Sequence, residues 1–290
     1  PDRLVHLLAH LEKTGMSQQV DYFQATPITK EQALKVHDPD LYDELERLLP
    51  TDGMVPADPD TWISPQSQNA ALHAAGAVAD ATNAIVRGDD NRAFCAIRPP
   101  GHHAEANAMM GFCLLNSIAI SAAMALEHSL IERVAILDFD VHHGNGTQDL
   151  VESDQRILFV STHQMPLYPG TGHKHETGAF NNVVNVPLKE GAGSTTFRAA
   201  VKKHVLPIID KWAPELILIS AGFDAHKADP LAGMELDETD FSWITKKLRI
   251  LASKHCKDRV VSCLEGGYDL DALAASVVSH VKALREPSDG

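Results

Sequence analysis

The stretch AILDFDVHHGNGTQ, residues 135–148, sets Asp138, Asp140 and His142 two residues apart directly behind an apolar run. A core strand avoids carboxylates, because an unpaired buried charge is costly. Either these groups are compensated by a metal, or the stretch is not a core strand. In an extended chain residues i, i+2 and i+4 share a face, so the three side chains can enter one pocket if the extension continues past Phe139.

Outward from this stretch, short β-rich runs alternate with longer segments of helical period. Strands are expected at 92–97 (RAFCAI), 133–139 (RVAILDF), 156–162 (RILFVST), 182–188 (NVVNVPL), 215–221 (ELILISA) and 259–265 (RVVSCLE). Helices are expected at 67–87, 115–128, 194–212, 238–255 and 269–284. Helical crossovers imply parallel neighbours, and strands apolar on both faces imply a sheet covered by helices on both sides. The fold class is therefore α/β. Residues 1–50 read as two or three amphipathic helices, and the Pro- and Asp-rich segment 51–67 (TDGMVPADPDTWISPQS) as a long surface loop. With no linker in view, residues 1–290 read as one domain.

The titratable residues fall just past the expected strand ends. RPPGHHAE carries His102 and His103 after the first strand; Asp140 and His142 follow the second; GFDAHKADPLAG brings Asp224, and GGYDL brings Tyr268. In open parallel sheets ligands bind in the crevice outside the carboxyl ends. Four loops thus deliver polar groups to one rim. Asp140, His142 and Asp224 would offer one imidazole and two carboxylates with positions left open, a set that suits Zn²⁺, with Fe²⁺ and Mn²⁺ also compatible by ligand type. Two carboxylates neutralise a divalent ion, so its water is less acidified and a separate base is needed; His102 or His103 could serve.

Each motif alone has a plainer reading: a turn or cap for D-x-H, a solvated loop for the paired histidines, a helix N-cap for Asp224, a turn for GGY. Their joint placement favours the metal site. His73, His128, His204, His255 and His280 sit on expected helices without a matching partner and read as structural or surface residues.

Bulk properties exclude other classes. A formal net charge of −14, in a chain with 44% hydrophobic and 22% charged residues, speaks against a nucleic-acid or anionic-membrane binder. No apolar run approaches the roughly 20 residues of a membrane span, and residues 1–13 are amphipathic rather than a signal peptide. Cys95, Cys113, Cys256 and Cys263 form no C-x-x-C pair, so they read as reduced and buried, with the cytoplasm as the default compartment.

Taken together RPPGHHAE, GFC, ILDFDVHHGNGTQ, VSTH, YPGTG, SAGFDAH with DPLAG, and EGGYDL resemble the zinc-dependent histone deacetylase family, in the style of its class II and bacterial members and of acetylpolyamine amidohydrolases. The likeness runs from PDRL to about residue 285. It implies the arginase/deacetylase fold, usually of eight mostly parallel strands; zinc on Asp140, His142 and Asp224; His102 and His103 as the paired histidines, backed by Asp138 and Asn145; and Tyr268 as electrophilic hydroxyl. It also implies an acyl-lysine tunnel lined by Gly111, Phe112 and Tyr168, with Leu231 at the rim, and a structural potassium ion near Asp138, Asp140, His142, Ser161 and Thr162. A second potassium site would fall near Val151, Asp154 and Ile157.

Asn145 stands where class I relatives have Asp. A neutral partner would leave His103 neutral as general base, with His102, beside the Asp138 carboxylate, chiefly electrostatic. The expected activity is removal of acetyl or acyl groups from Nε-acyl-lysine, since an apolar Leu231 gives a polyamine no countercharge. Hydrolysis of an acetylpolyamine or another small N-acetyl amine is the alternative. A dinuclear ureohydrolase is disfavoured by His226, two positions after Asp224, where a carboxylate would be needed; a silent acetyl-lysine binder would have lost a site residue. The expected partner is an acetylated lysine peptide or small acetylated amine, and a homo-oligomer is compatible with the sequence. Relatives carry a strand and rim loop before PDRL, so a longer native N-terminus is also expected.

Overall fold

A computed structural model describes residues 2–286; Pro1 and residues 287–290, the ends of the expected domain, lie outside the described residues. The chain opens with helices α1 (Asp2–Lys13), α2 (Lys30–Ala33) and α3 (Pro39–Leu48). Short α2 is fixed by a reciprocal capping box, in which the Thr29 hydroxyl accepts from the Gln32 N–H and the Gln32 side chain accepts from the Thr29 N–H. Segment 51–67 is more ordered than a plain loop. It pairs β1 (Val55–Pro56) with β2 (Trp62–Ile63), and Asp58 Oδ1 closes the turn by accepting from the N–H groups of Asp60 and Thr61.

Helix α4 (Ser67–Arg87) ends on Gly88, whose φ of 85° is the left-handed conformation that stops a helix. The six expected apolar runs then form one sheet: β3 (Arg92–Cys95), β4 (Val134–Asp138), β5 (Ile157–Gln164), β6 (Val183–Leu188), β7 (Leu216–Ala221) and β8 (Val260–Leu264). All its pairings are parallel, in the order β3-β8-β7-β4-β5-β6. The eight strands usual for the fold are not reached in this sheet. The only other strands among the described residues, β1 and β2, are two residues each and stand apart as the hairpin.

The remaining helices are α5 (Ser117–Ala125), α6 (Asn145–Val151), α7 (Ser194–Ala200), α8 (Leu206–Trp212), α9 (Glu238–His255) and α10 (Leu270–Arg285). The helix expected at 115–128 is trimmed because Asn116 caps it, accepting from the Ala119 N–H at 3.0 Å. The helix expected at 194–212 is interrupted by a π turn, Val201–Val205, just before Pro207. Proline has no N–H for the ladder and its ring clashes with the preceding turn, which the wider π turn relieves. One sheet face packs against α1 and α7–α10, the other against α4 and α5, and strands β4, β7 and β8 are buried throughout.

This order creates the site. From β4 the chain winds outward through β5 to β6, then returns to β7, on the other side of β4, and continues to β8. The winding direction reverses between β4 and β7. The loops leaving these neighbours diverge to opposite faces and open a crevice at their carboxyl ends.

The segment before α2 lies against α4 through Gly76. A Cβ there would sit 1.7 Å from the Thr26 carbonyl oxygen, and the approach is held by the Ile28 N–H on Leu72 O and the Thr26 N–H on Asp80. Gly76→Ala is therefore expected to cost about 1–3 kcal/mol in denaturant unfolding, as an overpacked contact does; an unchanged midpoint would contradict this packing.

Candidate metal centre and active site

The β4 strand ends at Asp138, and the backbone leaves the sheet before Asp140 and His142. The continued extension that would aim all three groups into one pocket does not occur. Asp138 instead turns to His102, whose Nδ1 lies 2.9 Å from Asp138 Oδ2, while Asp138 Oδ1 accepts from the Asp140 N–H. Asp140, His142 and, from the loop after β7, Asp224 do gather, with one ligand atom from each within 4.8 Å of the others. His142 Nδ1 lies 3.1 Å from both Asp140 Oδ1 and Asp224 Oδ2.

Backbone donors hold the two carboxylates. The Gly266 N–H donates to Asp140 Oδ2 and the Val141 N–H to Asp224 Oδ1. The loop after β8 must come close to do this: a Cβ on residue 266 would meet Asp224 Oδ2 at 2.1 Å, so only glycine fits. Two carboxylate oxygens and an imidazole nitrogen, converging and buried, form a donor set suited to a divalent ion such as zinc.

The paired histidines project from the loop after β3, with ring centres 4.0 Å apart. Their partners differ. His102 faces a carboxylate, whereas His103 Nδ1 lies 2.7 Å from Asn145 Oδ1. The Asn145 amide donates to Glu105 Oε1 at 2.6 Å, which fixes its oxygen toward His103. His103 Nδ1 must then carry the proton, leaving Nε2 as an open lone pair.

Electrostatics separates the pair. Burial opposes charge on His102, but Asp140, Asp138 and Glu265 outweigh it and raise its pKa well above the ordinary value. Burial and the neighbouring His102 cation depress His103 well below it. Burial, Asp224 and Asp140 hold Tyr268 well above the usual phenol range, so its hydroxyl keeps its proton.

Two of the expected tunnel residues stand beside the titratable side chains. The Tyr168 ring stands edge-on to His103 at 5.2 Å, and Phe112 edge-on to Tyr268 at 6.0 Å. Phe112, Tyr168 and Leu231 are all partly exposed, at 42%, 37% and 47%. Gly111 and Phe112 both adopt positive φ, and the 51–67 segment braces them: Asp60 Oδ1 accepts from the Gly111 N–H and Thr61 Oγ1 from the Phe112 N–H. Ser161 pairs in register with Asp138 across β4 and β5, and Thr162 follows it. Strand alternation turns the two side chains to opposite faces, so the Ser161 and Thr162 hydroxyls do not share one site. The carbonyls of Val151, Asp154 and Ile157 also converge, but on the Asn182 side chain.

Several supports escape a motif reading. Arg3 on α1 donates to the carbonyls of Gly267 at 2.7 Å and Glu265 at 2.5 Å, and its guanidinium lies over the Tyr268 ring at 5.2 Å. Asp229 accepts from the Tyr268 N–H at 2.7 Å and the Leu231 N–H at 3.0 Å, joining two rim loops. Glu265, fully buried, accepts from the N–H groups of Gly101 and His102 and from the Ser220 hydroxyl. Asp229 and Glu265 lie inside DPLAG and EGGYDL; for Glu265 a carboxylate directly after the β8 strand and before glycine was the available signal, whereas Asp229, before Pro230 in a loop, and Arg3 carry none beyond the motif itself.

The histone deacetylase domain profile matches residues 1–284. A histone deacetylase-like amidohydrolase of Pseudomonas aeruginosa is 35% identical over 92% of this chain and 71% of its own length. Type-2 histone deacetylase 2 of Dictyostelium discoideum is 36% identical across 100% of this chain, which spans only 20% of that protein. The crystal structure of the HDA15 HD domain superposes with a TM-score of 0.91 at 35% identity, covering 98% of this chain and 81% of that one.

The ligand set makes metal binding depend on pH. Burial works against charge on His142, but its hydrogen bonds to Asp140 and Asp224 raise it to about 10. At neutral pH the metal-free imidazole is therefore protonated, and an ion must displace that proton. Zinc affinity is expected to rise about tenfold per pH unit near neutrality, with at least one proton released per ion. Competitive chelator titration in buffers of different ionisation enthalpy reads both, and a pH-independent affinity would contradict the protonated imidazole.

Proposed function

From the premise that the chain belongs to the histone deacetylase family, we propose that it is a zinc-dependent amidohydrolase that removes acetyl or acyl groups from Nε-acyl-lysine. The carrying observation is the pair of unlike histidines, one against Asp138 and one against Asn145, beside the Asp140, His142 and Asp224 cluster. Zinc on that cluster would supply Lewis acidity toward the scissile carbonyl and acidify the attacking water. Iron(II) fits the same donors.

The chain's own residues do the rest. His103 Nε2 accepts the water proton as general base and delivers it to the leaving amine. His102, held cationic, stabilises the negative charge that develops, and the protonated Tyr268 hydroxyl donates to the oxyanion. Phe112 and Tyr168 flank the acyl-lysine stem, the Gly111 carbonyl accepts the substrate N–H, and Leu231 gives the rim an apolar surface. A structural potassium ion held near Asp138, Asp140, His142, Ser161 and Thr162 would steady the loop after β4.

One observation favours the small-amine alternative. Asp60 and Asp58 stand close enough to Tyr168 to raise its hydroxyl pKa, though burial is the larger cause, and these carboxylates could attract a cationic tail. Leu231 offers no such charge, and the peptide reading is preferred. Among the described residues Asp140, His142 and Asp224 are the one cluster of this kind, which gives a dinuclear ureohydrolase no second metal site. A cytoplasmic location accords with four free, buried cysteines. Among the described residues no helix is long and apolar enough to cross a membrane.

His103→Ala is expected to lower kcat for an Nε-acetyl-lysine peptide by about 10²–10⁴-fold, the range for loss of a general base, with a smaller loss for His102→Ala. The reverse order would exchange their roles. In parallel assays of acetate release the peptide is expected to outpace an acetylated polyamine; preference for the polyamine would move the function to small-amine hydrolysis.

A further inference from the structure

Three backbone carbonyls converge where α6 gives way to β5. Val151 O, Asp154 O and Ile157 O lie 3.1, 3.2 and 3.0 Å from one atom, Asn182 Nδ2. Asn182 is fully buried just ahead of β6, and its amide orientation is fixed independently: the Phe180 N–H donates to Asn182 Oδ1 at 3.3 Å, which turns the nitrogen toward the carbonyls. Convergent carbonyls are what a dehydrated monovalent cation requires. Here they meet a neutral donor with two hydrogens instead.

We propose that the Asn182 side-chain amide closes the Val151–Asp154–Ile157 carbonyl cradle in place of a second monovalent cation. Three features besides the distances support this. Val151 O and Asp154 O each already accept a backbone N–H, from Asp154 at 3.0 Å and Ile157 at 3.1 Å, and the amide adds a second donor to both while also reaching Ile157 O, with one hydrogen shared. The Asp154 carboxylate adds no attraction for an ion, because both its oxygens are engaged by Arg156, at 2.9 and 2.6 Å. The Asn182 carbonyl accepts from the Phe159 N–H at 2.8 Å, so the residue is locked to β5 by its backbone as well as its side chain. The amide thus ties the 151–157 turn to the entry of β6 at any salt composition, and the chain holds at most one structural potassium ion of the two that its resemblance implies.

Two experiments on the 290-residue protein test this. Crystals soaked in Tl⁺, an anomalously scattering potassium surrogate, are expected to show no peak within the carbonyl triad of the wild type and a peak there in Asn182→Ser. A wild-type peak, or none in the variant, would overturn the proposal. Asn182→Asp keeps the shape but replaces the donors with oxygens that repel the carbonyls. Its melting temperature is expected to rise by several degrees more than that of the wild type when tetramethylammonium chloride is replaced by KCl. An equal response in the two proteins would overturn the proposal, and the comparison does not depend on the first cation site, which both retain.

Discussion

Burying carboxylates at the carboxyl ends of a parallel sheet is the constraint on which the rest of this structure depends. Asp138, Asp140, Asp224 and Glu265 are all fully buried within the crevice. Left alone, such charges would be prohibitive. The fold compensates them largely by backbone donors: the N–H of Gly266 on Asp140, of Val141 on Asp224, of Asp140 on Asp138, and of Gly101 and His102 on Glu265. Many of these bonds join different loops, so the charges fasten together the loops after β3, β4, β7 and β8. What remains uncompensated faces His102 and the His142 cluster, where a cation belongs.

The same compensation sets the two histidines apart in charge. Carboxylates below His102 hold it cationic, and its charge helps to keep His103 neutral next to the uncharged Asn145. Asp229 and Arg3 then position Tyr268 from opposite sides of its peptide, one accepting its N–H and the other donating to the carbonyls before it. The protonation and orientation of these groups are thus fixed beforehand, the condition under which electrostatic stabilisation is strongest.

Much of this was legible in the sequence, for physical reasons. The six sheet strands were visible because a sheet covered on both faces needs unbroken apolar runs, and α4 and α9 match their expected spans because caps and period agree. The gathering of Asp140, His142 and Asp224 was visible because titratable residues at strand ends have few other reasons to be there. Other features were not. The π turn follows from a clash between Pro207 and the helix that contains it, which period alone does not register. The 51–67 segment reads as polar loop, yet its Asp60 and Thr61 brace Gly111 and Phe112 through backbone donors that have no sequence signature. Arg3 reaches Gly267 across 264 residues, a contact only the assembled fold creates.

On this reading the uncompensated charge of the crevice holds a single catalytic divalent ion. Its most direct test is acetate release from an Nε-acetyl-lysine peptide by chelator-treated protein, measured against added equivalents of zinc. No activity is expected without metal, with a linear return that saturates at one equivalent. Activity that survives chelation, or that saturates only at two equivalents, would contradict it.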